Sequence, residues 1–150
     1  MALIDLGVIP ALSALAVEEA LLERLDGGGE GAGWLFWTPE HLCAVLGTAR
    51  PAEGDLLVEE VRAAGLPVLR RRSGGGTVVL GPAGPVVTQI APLGGDVREC
   101  YAGFCEVLGG ALVRLGLESE FHPPADLAVA GRKVAGLAQR RKRRAALVTA

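Results

Sequence analysis

The sequence predicts an α+β domain in which helices flank a mixed or mostly antiparallel sheet. Two observations support this class. Segments with helical spacing of apolar residues alternate with short apolar and β-branched runs, and no internal repeat or low-complexity linker divides the 150 residues. Half of the residues are apolar and only 4% are aromatic, so Ala, Val and Leu must build the core. The length suits one domain spanning residues 1–150.

Three segments have the apolar spacing of helices. The first covers residues 10–25, and a second, shorter one covers 55–64. The third covers 96–115, where Asp96 and Glu99 have the spacing of a capping box. The expected core stripe of this last helix comprises Val97, Tyr101, Phe104, Val107, Leu108, Ala111 and Leu112.

The remaining elements are predicted as short strands bounded by turn residues. The first two are expected to form a hairpin around Pro39-Glu40, and another two flank the Gly74–Gly76 cluster. Gly131-Arg132 is expected to form a tight turn between two apolar runs. The predicted strands cover residues 34–38, 41–46, 67–71, 77–80, 85–90, 118–122, 126–130, 132–139 and 145–149.

Charge is distributed unevenly along the chain. The net charge is −2, but residues 1–69 carry −8 and residues 70–150 carry +6. Ten of the fifteen basic residues lie within 70–72 and 132–144. If these two segments meet in space, they form a positive site for an anionic ligand or an acidic protein. Nucleic acid is a less favoured partner, because few aromatic residues accompany the basic run 140–144 and the whole chain is acidic.

Nothing in the sequence predicts secretion or membrane insertion. The apolar stretch 6–17 has no preceding basic residues, and the one uncharged run longer than about 20 residues, 73–95, is interrupted throughout by glycine and proline. We therefore expect a cytoplasmic protein without a membrane partner. Cys43, Cys100 and Cys105 lack metal-ligand spacing, so no metal site is expected, and they are expected to pack as small apolar residues in a reducing compartment.

The segment 70–76, RRRSGGG, is the most informative part of the chain. Consecutive glycines can adopt positive φ angles and let the backbone approach a ligand, and their N–H groups can then form an anion-binding concavity. The neighbouring arginines add planar donors suited to phosphate or carboxylate oxygens. The alternative is a glycine-rich hairpin turn with solvated arginines. The segment therefore predicts either a nucleotide phosphate site or a simple turn.

The use of lysine adds a second indication. The chain contains thirteen arginines but only two lysines, Lys133 and Lys142. Where any positive charge would serve, this sequence uses arginine. The two lysines therefore mark positions at which an ammonium group is chemically needed.

Two blocks of the sequence carry a resemblance to a known family. Residues 70–78, RRRSGGGTV, resemble the RR-x-SGGG-x-V signature of the lipoate–protein ligase A family. Residues 126–139, DLAVAGRKVAGLAQ, are similar to its D-L-x-x-x-G-x-K-[IV]-x-G-x-A-Q block, and weaker similarities lie within 15–19 and 37–47. Their order and spacing fit, so the resemblance covers nearly the whole chain. It implies the fold of the biotin/lipoate protein ligase catalytic domain.

The resemblance also implies a reaction. Members of the family use ATP and Mg²⁺ to convert lipoic or octanoic acid to an acyl-adenylate. The acyl group then passes to a lysine on a lipoyl carrier domain of a 2-oxoacid dehydrogenase complex or on the glycine-cleavage H protein. By motif position Lys133 is the catalytic residue, since an ammonium can bridge the two reacting anions. The implied nucleotide- and acyl-binding residues are Arg71, Ser73, Gly74, Gly75, Gly76, Thr77, Val78, Val79, Asp126, Gly136 and Ala138.

Simpler interpretations of the same residues remain open. Lys133 could be a solvated strand lysine, and Ser73 could cap a turn rather than donate to phosphate. Gly74 and Gly75 could serve the turn geometry alone. Gly136 and Ala138 could reflect close sheet packing instead of contact with an acyl chain.

Two functions other than a ligase also fit the sequence. One is an octanoyl or lipoyl transferase of the same fold that works through a cysteine thioester, although the segment 121–124 before the lysine block contains no cysteine. The other is a catalytically incomplete module that binds the acyl-adenylate or the carrier. The family's catalytic domain is longer than this chain, so the resemblance implies a shortened member or a fragment. An open sheet edge near residue 150 would favour a homodimer or a second subunit.

Overall fold

The structure is a computed structural model that describes residues 2–150. None of the helices in this range is long and apolar enough to cross a membrane. In chain order, the elements are β1 (Ala2–Ile9), α1 (Ala11–Asp26), β2 (Gly33–Pro39), β3 (Cys43–Leu46), α2 (Ala52–Asp55), α3 (Val58–Ala63), β4 (Val68–Arg70), β5 (Val78–Leu80), β6 (Val86–Pro92), α4 (Val97–Val113), β7 (Ser119–His122), β8 (Asp126–Val129), β9 (Arg132–Gly136), β10 (Ala138–Arg141) and β11 (Ala145–Thr149).

The strands form three sheets. A central five-stranded sheet has the order β1-β2-β6-β11-β10, and two three-stranded sheets have the orders β4-β3-β5 and β7-β8-β9. Within residues 2–150, β1 runs parallel to β2 and β3 parallel to β4, whereas the other six strand pairs are antiparallel. The predicted α+β class with a mixed, mostly antiparallel sheet is therefore confirmed.

Helices cover both faces of the central sheet, and strand β2 shows why. Its side chains alternate between the two faces, as the pleat of a strand requires. Leu35 and Trp37 pack in the core beneath α1, while Trp34 packs with Phe104 of α4 on the other face. The Trp34 and Phe104 rings lie 5.3 Å apart. Both faces of β2 are apolar because both are buried.

Helix α4 begins as the sequence predicts. The Asp96 carboxylate accepts from the Glu99 N–H at 2.9 Å, and the Glu99 carboxylate accepts from the Asp96 N–H at 2.7 Å. The expected core stripe is only partly right. Phe104 is fully buried and Cys105 nearly so, but Val97 and Val107 are 48% and 54% exposed. The buried face of α4 is therefore narrower than its apolar residues suggest.

The predicted hairpin of residues 34–38 and 41–46 is wrong. Strands β2 and β3 belong to different sheets, because β2 pairs with β1 and β6 whereas β3 pairs with β4 and β5. The parallel partner of β2 is β1, a strand that the sequence analysis did not identify. β1 is an edge strand with a register shift after Asp5, and the following Gly7 has a φ of +62°. Because many residues of β1 are exposed and its pairing is irregular, its sequence lacks the regular apolar–polar alternation that predicts a strand.

Two other predicted elements are divided in the structure. Of the helix expected over 55–64, only α3 forms as one helix, because Asp55 ends the preceding α2 and Leu56 is extended with φ −126° and ψ +143°. The strand expected over 132–139 becomes β9 and β10, which join different sheets. The break falls at Leu137, whose side chain is buried and whose N–H donates to the Ala125 carbonyl at 2.6 Å.

The expected packing role of the cysteines agrees with their positions. Cys43 and Cys105 are buried and Cys100 is half-buried, and all three thiols are free. Burial raises the pKa of the Cys43 and Cys105 thiols, which keeps them protonated and unreactive.

Candidate active site

A cavity of about 870 Å³ opens between the glycine-rich segment and strand β9. One side consists of residues 75–86, which lead from the glycines through β5 to the start of β6. The facing side consists of residues 133–138, with Asp126 from β8 beside them. Apolar side chains from α1, β2 and β3, including Leu15, Trp37 and Val45, complete the wall. The two blocks that carry the resemblance therefore line one cavity.

The glycine loop, residues 73–77, is held at both of its ends. The Ser73 carbonyl accepts from Thr48 N at 3.0 Å, and Gly74 N donates to the Gln139 carbonyl at 3.2 Å. The Thr77 hydroxyl donates to Asp55, and this bond is the largest of the effects that lower the pKa of the Asp55 carboxyl. These bonds fix the two ends of the loop.

Gly75 explains why this loop requires glycine. Its φ is +91°, a conformation that side-chain-bearing residues rarely adopt. The loop also approaches the end of β3 so closely that a Cβ on Gly47 would lie 2.1 Å from the Gly75 carbonyl oxygen. Within residues 2–150, no protein acceptor meets the N–H groups of Gly75 and Gly76. Both residues line the cavity, so these N–H groups are available to an anion there.

Arg71 supports the loop from behind. Its side chain is buried, and one terminal nitrogen donates to the carbonyls of Gly74 at 2.8 Å and Gly76 at 2.7 Å. The other terminal nitrogen donates to the Val45 carbonyl at 3.1 Å. Both terminal nitrogens of the guanidinium are thus engaged with the protein itself. The structure places Arg71 at the cavity, but as a brace of the glycine loop.

Lys133 of β9 lines the same cavity. Its Nζ is 2.7 Å from the Asp126 Oδ1, and the two side chains are 58% and 40% exposed. Gly136 lies directly beneath the ammonium, since a Cβ at this position would be 3.1 Å from Nζ. The ammonium is therefore held at the surface of the cavity, where a ligand can reach it.

The structure brings most of the predicted residues together and leaves two apart. Ser73 is buried and lines a second, smaller cavity of about 220 Å³ between α1 and residues 70–73. Gly74 does not line the larger cavity, and its N–H is used by Gln139. The predicted residues that line the larger cavity are Arg71, Gly75, Gly76, Thr77, Val78, Val79, Asp126, Lys133, Gly136 and Ala138.

No motif in the sequence predicts the apolar wall of the cavity or the loop at its edge. Trp37, Val45 and Val86 line the cavity from three different strands, and residues 81–85 form a loop at its edge. The alternation in β2 identifies Trp37 as buried, but no local signal shows that its face adjoins a cavity. Only the packing of separate sheets reveals this.

The basic segments do meet, but largely by pairing with α1. Arg140 donates to the Arg72 carbonyl at 3.1 Å and lies 3.0 Å from Glu19. Lys142 pairs with Glu23, and Arg144 donates to the Asp26 carbonyl at 2.8 Å. Most of the run 140–144 is thus engaged by acidic residues and carbonyls of the first helix, which leaves little of it for nucleic acid.

Glu18 of α1 is a buried acid that lines the smaller cavity. Its carboxylate accepts from Trp37 Nε1 at 3.0 Å and from the Thr88 hydroxyl at 2.6 Å. Thr88 in turn lies 2.9 Å from the hydroxyl of Thr149, which lines the larger cavity. Burial raises the pKa of the Glu18 carboxyl, although the two hydrogen bonds and the charge of Arg71 act in the opposite direction.

The raised pKa predicts how stability depends on pH. The folded state binds the Glu18 proton more tightly than the unfolded state does. Protonation of Glu18 therefore contributes fully to the free energy of unfolding at low pH, and this contribution is lost as the pH rises through the raised pKa. Glu18→Gln keeps an acceptor for Trp37 and Thr88 without this titration. We expect the free energy of unfolding of the variant to rise relative to that of the wild type as the pH increases from 4 towards neutrality, measured by urea unfolding. A constant difference across this range would contradict the prediction.

Comparisons with known proteins agree with this arrangement. A family model described as the lipoyl protein ligase A/B catalytic domain matches residues 10–150. A protein assigned as a lipoate-protein ligase A in Aeropyrum pernix is 34% identical over 136 residues, which are 91% of this chain and 51% of the relative. The chain therefore spans about half the length of that curated relative.

Solved structures show the same fold. A protein assigned as a lipoate protein ligase from Thermoplasma acidophilum, with bound lipoic acid, superposes with a TM-score of 0.86 at 20% identity, over 98% of this chain and 65% of that one. A bipartite lipoate protein ligase from the same organism, described with its E2 lipoyl domain, gives 0.83 at 18% identity over 98% and 58%. A lipoate-protein ligase A bound with ATP gives 0.82 at 18% identity over 98% and 64%.

The family model covers nearly all of the chain and includes both walls of the cavity. This chain belongs to the lipoyl protein ligase A/B catalytic-domain family.

Proposed function

We propose that this chain activates lipoic or octanoic acid with ATP and passes the acyl group to a lysine of a lipoyl carrier domain. The single observation that carries the proposal is the shared cavity, which has unpartnered N–H groups of Gly75 and Gly76 on one wall and the Lys133 ammonium on the other. Two relatives of the same fold are described with lipoic acid and with ATP, which supports both substrates.

In the first step, a carboxylate oxygen of the acid attacks the α-phosphorus of ATP. A phosphoanhydride bond breaks, pyrophosphate leaves, and the mixed anhydride acyl-AMP remains. Both reactants are anions, so the site must offset their repulsion and the charge that builds on phosphorus. The Lys133 ammonium can bridge the two, and the N–H groups of Gly75 and Gly76 can receive phosphate oxygens.

The acyl chain would pack against the apolar wall of the cavity. Leu15, Trp37, Val45 and Val86 line the cavity with apolar surface, and about 870 Å³ lies within the range of small-ligand sites. Ala138 presents only a small side chain on the β10 side of the cavity, so an elongated chain can lie close to the backbone there.

In the second step, the neutral amine of a carrier lysine attacks the acyl carbonyl. An amide bond forms, the bond between the acyl carbon and the phosphate oxygen breaks, and AMP leaves with the phosphate that Gly75 and Gly76 hold. The proton lost by the amine passes to solvent. The carrier would belong to a 2-oxoacid dehydrogenase complex or be the glycine-cleavage H protein. The Thermoplasma acidophilum ligase described with its E2 lipoyl domain supports such a partner. That ligase is also described as bipartite, which supports a second subunit here.

Mg²⁺ would arrive with ATP. Within residues 2–150, no group of three or more His, Cys, Asp or Glu side chains could hold a metal ion. Mg²⁺ usually keeps several waters and is bound through substrate phosphates, so the phosphates of ATP would supply its main ligands here. The ion would supply further charge neutralisation on the phosphates.

The transferase alternative requires a cysteine at the acyl group. Cys43, Cys100 and Cys105 do not line the cavity, and burial raises the pKa of two of these thiols. Among the described residues, no cysteine is therefore placed to form a thioester with the acyl group. The ligase is favoured over the transferase on this ground.

The proposal is tested by incubating the chain with ATP, Mg²⁺ and lipoic or octanoic acid, with and without a lipoyl domain. We expect pyrophosphate release and bound acyl-AMP by mass spectrometry, and an acylated carrier when the lipoyl domain is added. Acyl-AMP without transfer would indicate a module that needs a second subunit. A covalent acyl-cysteine, or no binding of ATP, would contradict the proposal.

A further inference from the structure

The Lys133 ammonium is held by its own sheet. The β8–β9 register places Asp126 directly opposite Gly136, and Asp126 Oδ1 lies 2.7 Å from Lys133 Nζ. The lysine side chain folds back over Gly136, because a Cβ there would be 3.1 Å from Nζ and 3.2 Å from Cε. The ammonium therefore occupies the space that any other residue at position 136 would fill.

A β-bulge makes this arrangement possible. Leu127 pairs with Ala135 whereas the next residue, Ala128, pairs with Lys133, so Val134 is the extra residue of β9. In a regular strand, residues three apart project from opposite faces. The extra residue turns the lysine onto the face of Gly136 and Asp126, which is how bulges re-aim side chains.

The geometry points to Asp126 and Gly136 as positioning residues that together form an ammonium seat for Lys133. The inference rests on the proposed function, in which Nζ must meet two anions on the cavity wall. Asp126 holds the ammonium there until the substrates replace it, and Gly136 leaves the space that it occupies. The pair is partly exposed, so the exchange of Asp126 for a ligand oxygen costs little. Neither residue needs to touch the phosphate.

Two variants displace the ammonium without disturbing the fold. Gly136 does not have a positive φ, so its backbone accepts alanine, and the nearest atoms to the new Cβ belong to the flexible end of Lys133, with Asp126 Oδ1 at an ordinary contact distance of 3.7 Å. Asp126→Asn keeps the shape of the side chain but removes its charge. Gly110→Ala is the matched control, because a Cβ at that exposed position of α4 meets nothing within 4 Å.

The first measurement is independent of activity. The chain has two lysines, so labelling lysine with ¹³C at Cε gives two side-chain NMR signals, which Lys142→Arg assigns. In Asp126→Asn the Lys133 signal should move to the position of a free lysine, and in Gly136→Ala it should also shift. The Lys142 signal and the Gly110→Ala spectrum should stay unchanged. An unchanged Lys133 signal in both variants overturns the ammonium seat.

The second measurement is the rate of acyl-AMP formation. Both variants should lose about ten- to a hundredfold in kcat, with KM values for ATP and the acid within roughly twofold of the wild type. A shifted Lys133 signal with wild-type kcat overturns the positioning role. If the wild-type chain forms no acyl-AMP, the proposed function fails, and the NMR comparison alone decides whether the ammonium seat exists.

Discussion

Replacing Lys133 by methionine is expected to slow acyl-AMP formation by about 10²- to 10³-fold, the usual effect of removing a charge that stabilises a transition state. Methionine has a similar length but no ammonium to place between the carboxylate and the α-phosphate. The side chain is 58% exposed and makes no core contact, so the fold should be kept. The rate is measured as pyrophosphate release in a single turnover, and the fold by circular dichroism.

Lys142→Met is the matched control. This second lysine pairs with Glu23 of α1 and does not line the cavity. Its replacement should leave the rate within roughly twofold of the wild type, because only a surface pair is lost. Equal losses in the two variants, or a wild-type rate for Lys133→Met, would show that Lys133 is not the catalytic ammonium.

Arg71→Lys is expected to lower the free energy of unfolding by about 2–4 kcal/mol and to abolish ATP binding. The planar guanidinium reaches the carbonyls of Val45, Gly74 and Gly76 at once, which a single ammonium cannot do. Unpaired carbonyls would then let the glycine loop move, and its N–H groups would no longer face the cavity. Urea unfolding and calorimetric titration with ATP measure the two effects.

Arg143→Lys provides the control, since Arg143 is exposed and removed from the loop. It should change neither stability nor ATP binding. If Arg71→Lys kept wild-type stability and lost only ATP binding, Arg71 would act as a direct phosphate contact, as the motif alone implies, and not as a brace.

Features that depend on a few consecutive residues could be predicted from the sequence. The capping box of α4 needs only Asp96 and Glu99, and both of its hydrogen bonds are present. The β8–β9 turn was also expected, although its positive φ angles fall on Ala130 and Gly131, one residue earlier than predicted. Local hydrogen bonds and backbone preferences decide such features, so local sequence reveals them.

Features that depend on distant partners could not be predicted. Whether β2 pairs with β3 or with β1 and β6 is decided by burial on both of its faces, which no short window contains. The same holds within the site. Three arginines in a row look alike in sequence, yet Arg71 is buried and braces the loop whereas Arg72 is exposed. The burial of Glu18 likewise follows from the packing of α1 against Trp37 and Thr88.

The most direct test of the shared cavity is a titration with a non-hydrolysable acyl-sulfamate analogue of lipoyl-AMP, followed by NMR. The amide signals of Gly75 and Gly76 and the Cε signal of Lys133 are observed in one sample. If both walls hold one ligand, all three signals should shift along a single binding curve with one Kd. A ligand that moves the glycine signals but leaves Lys133 unchanged, or the reverse, would contradict the account.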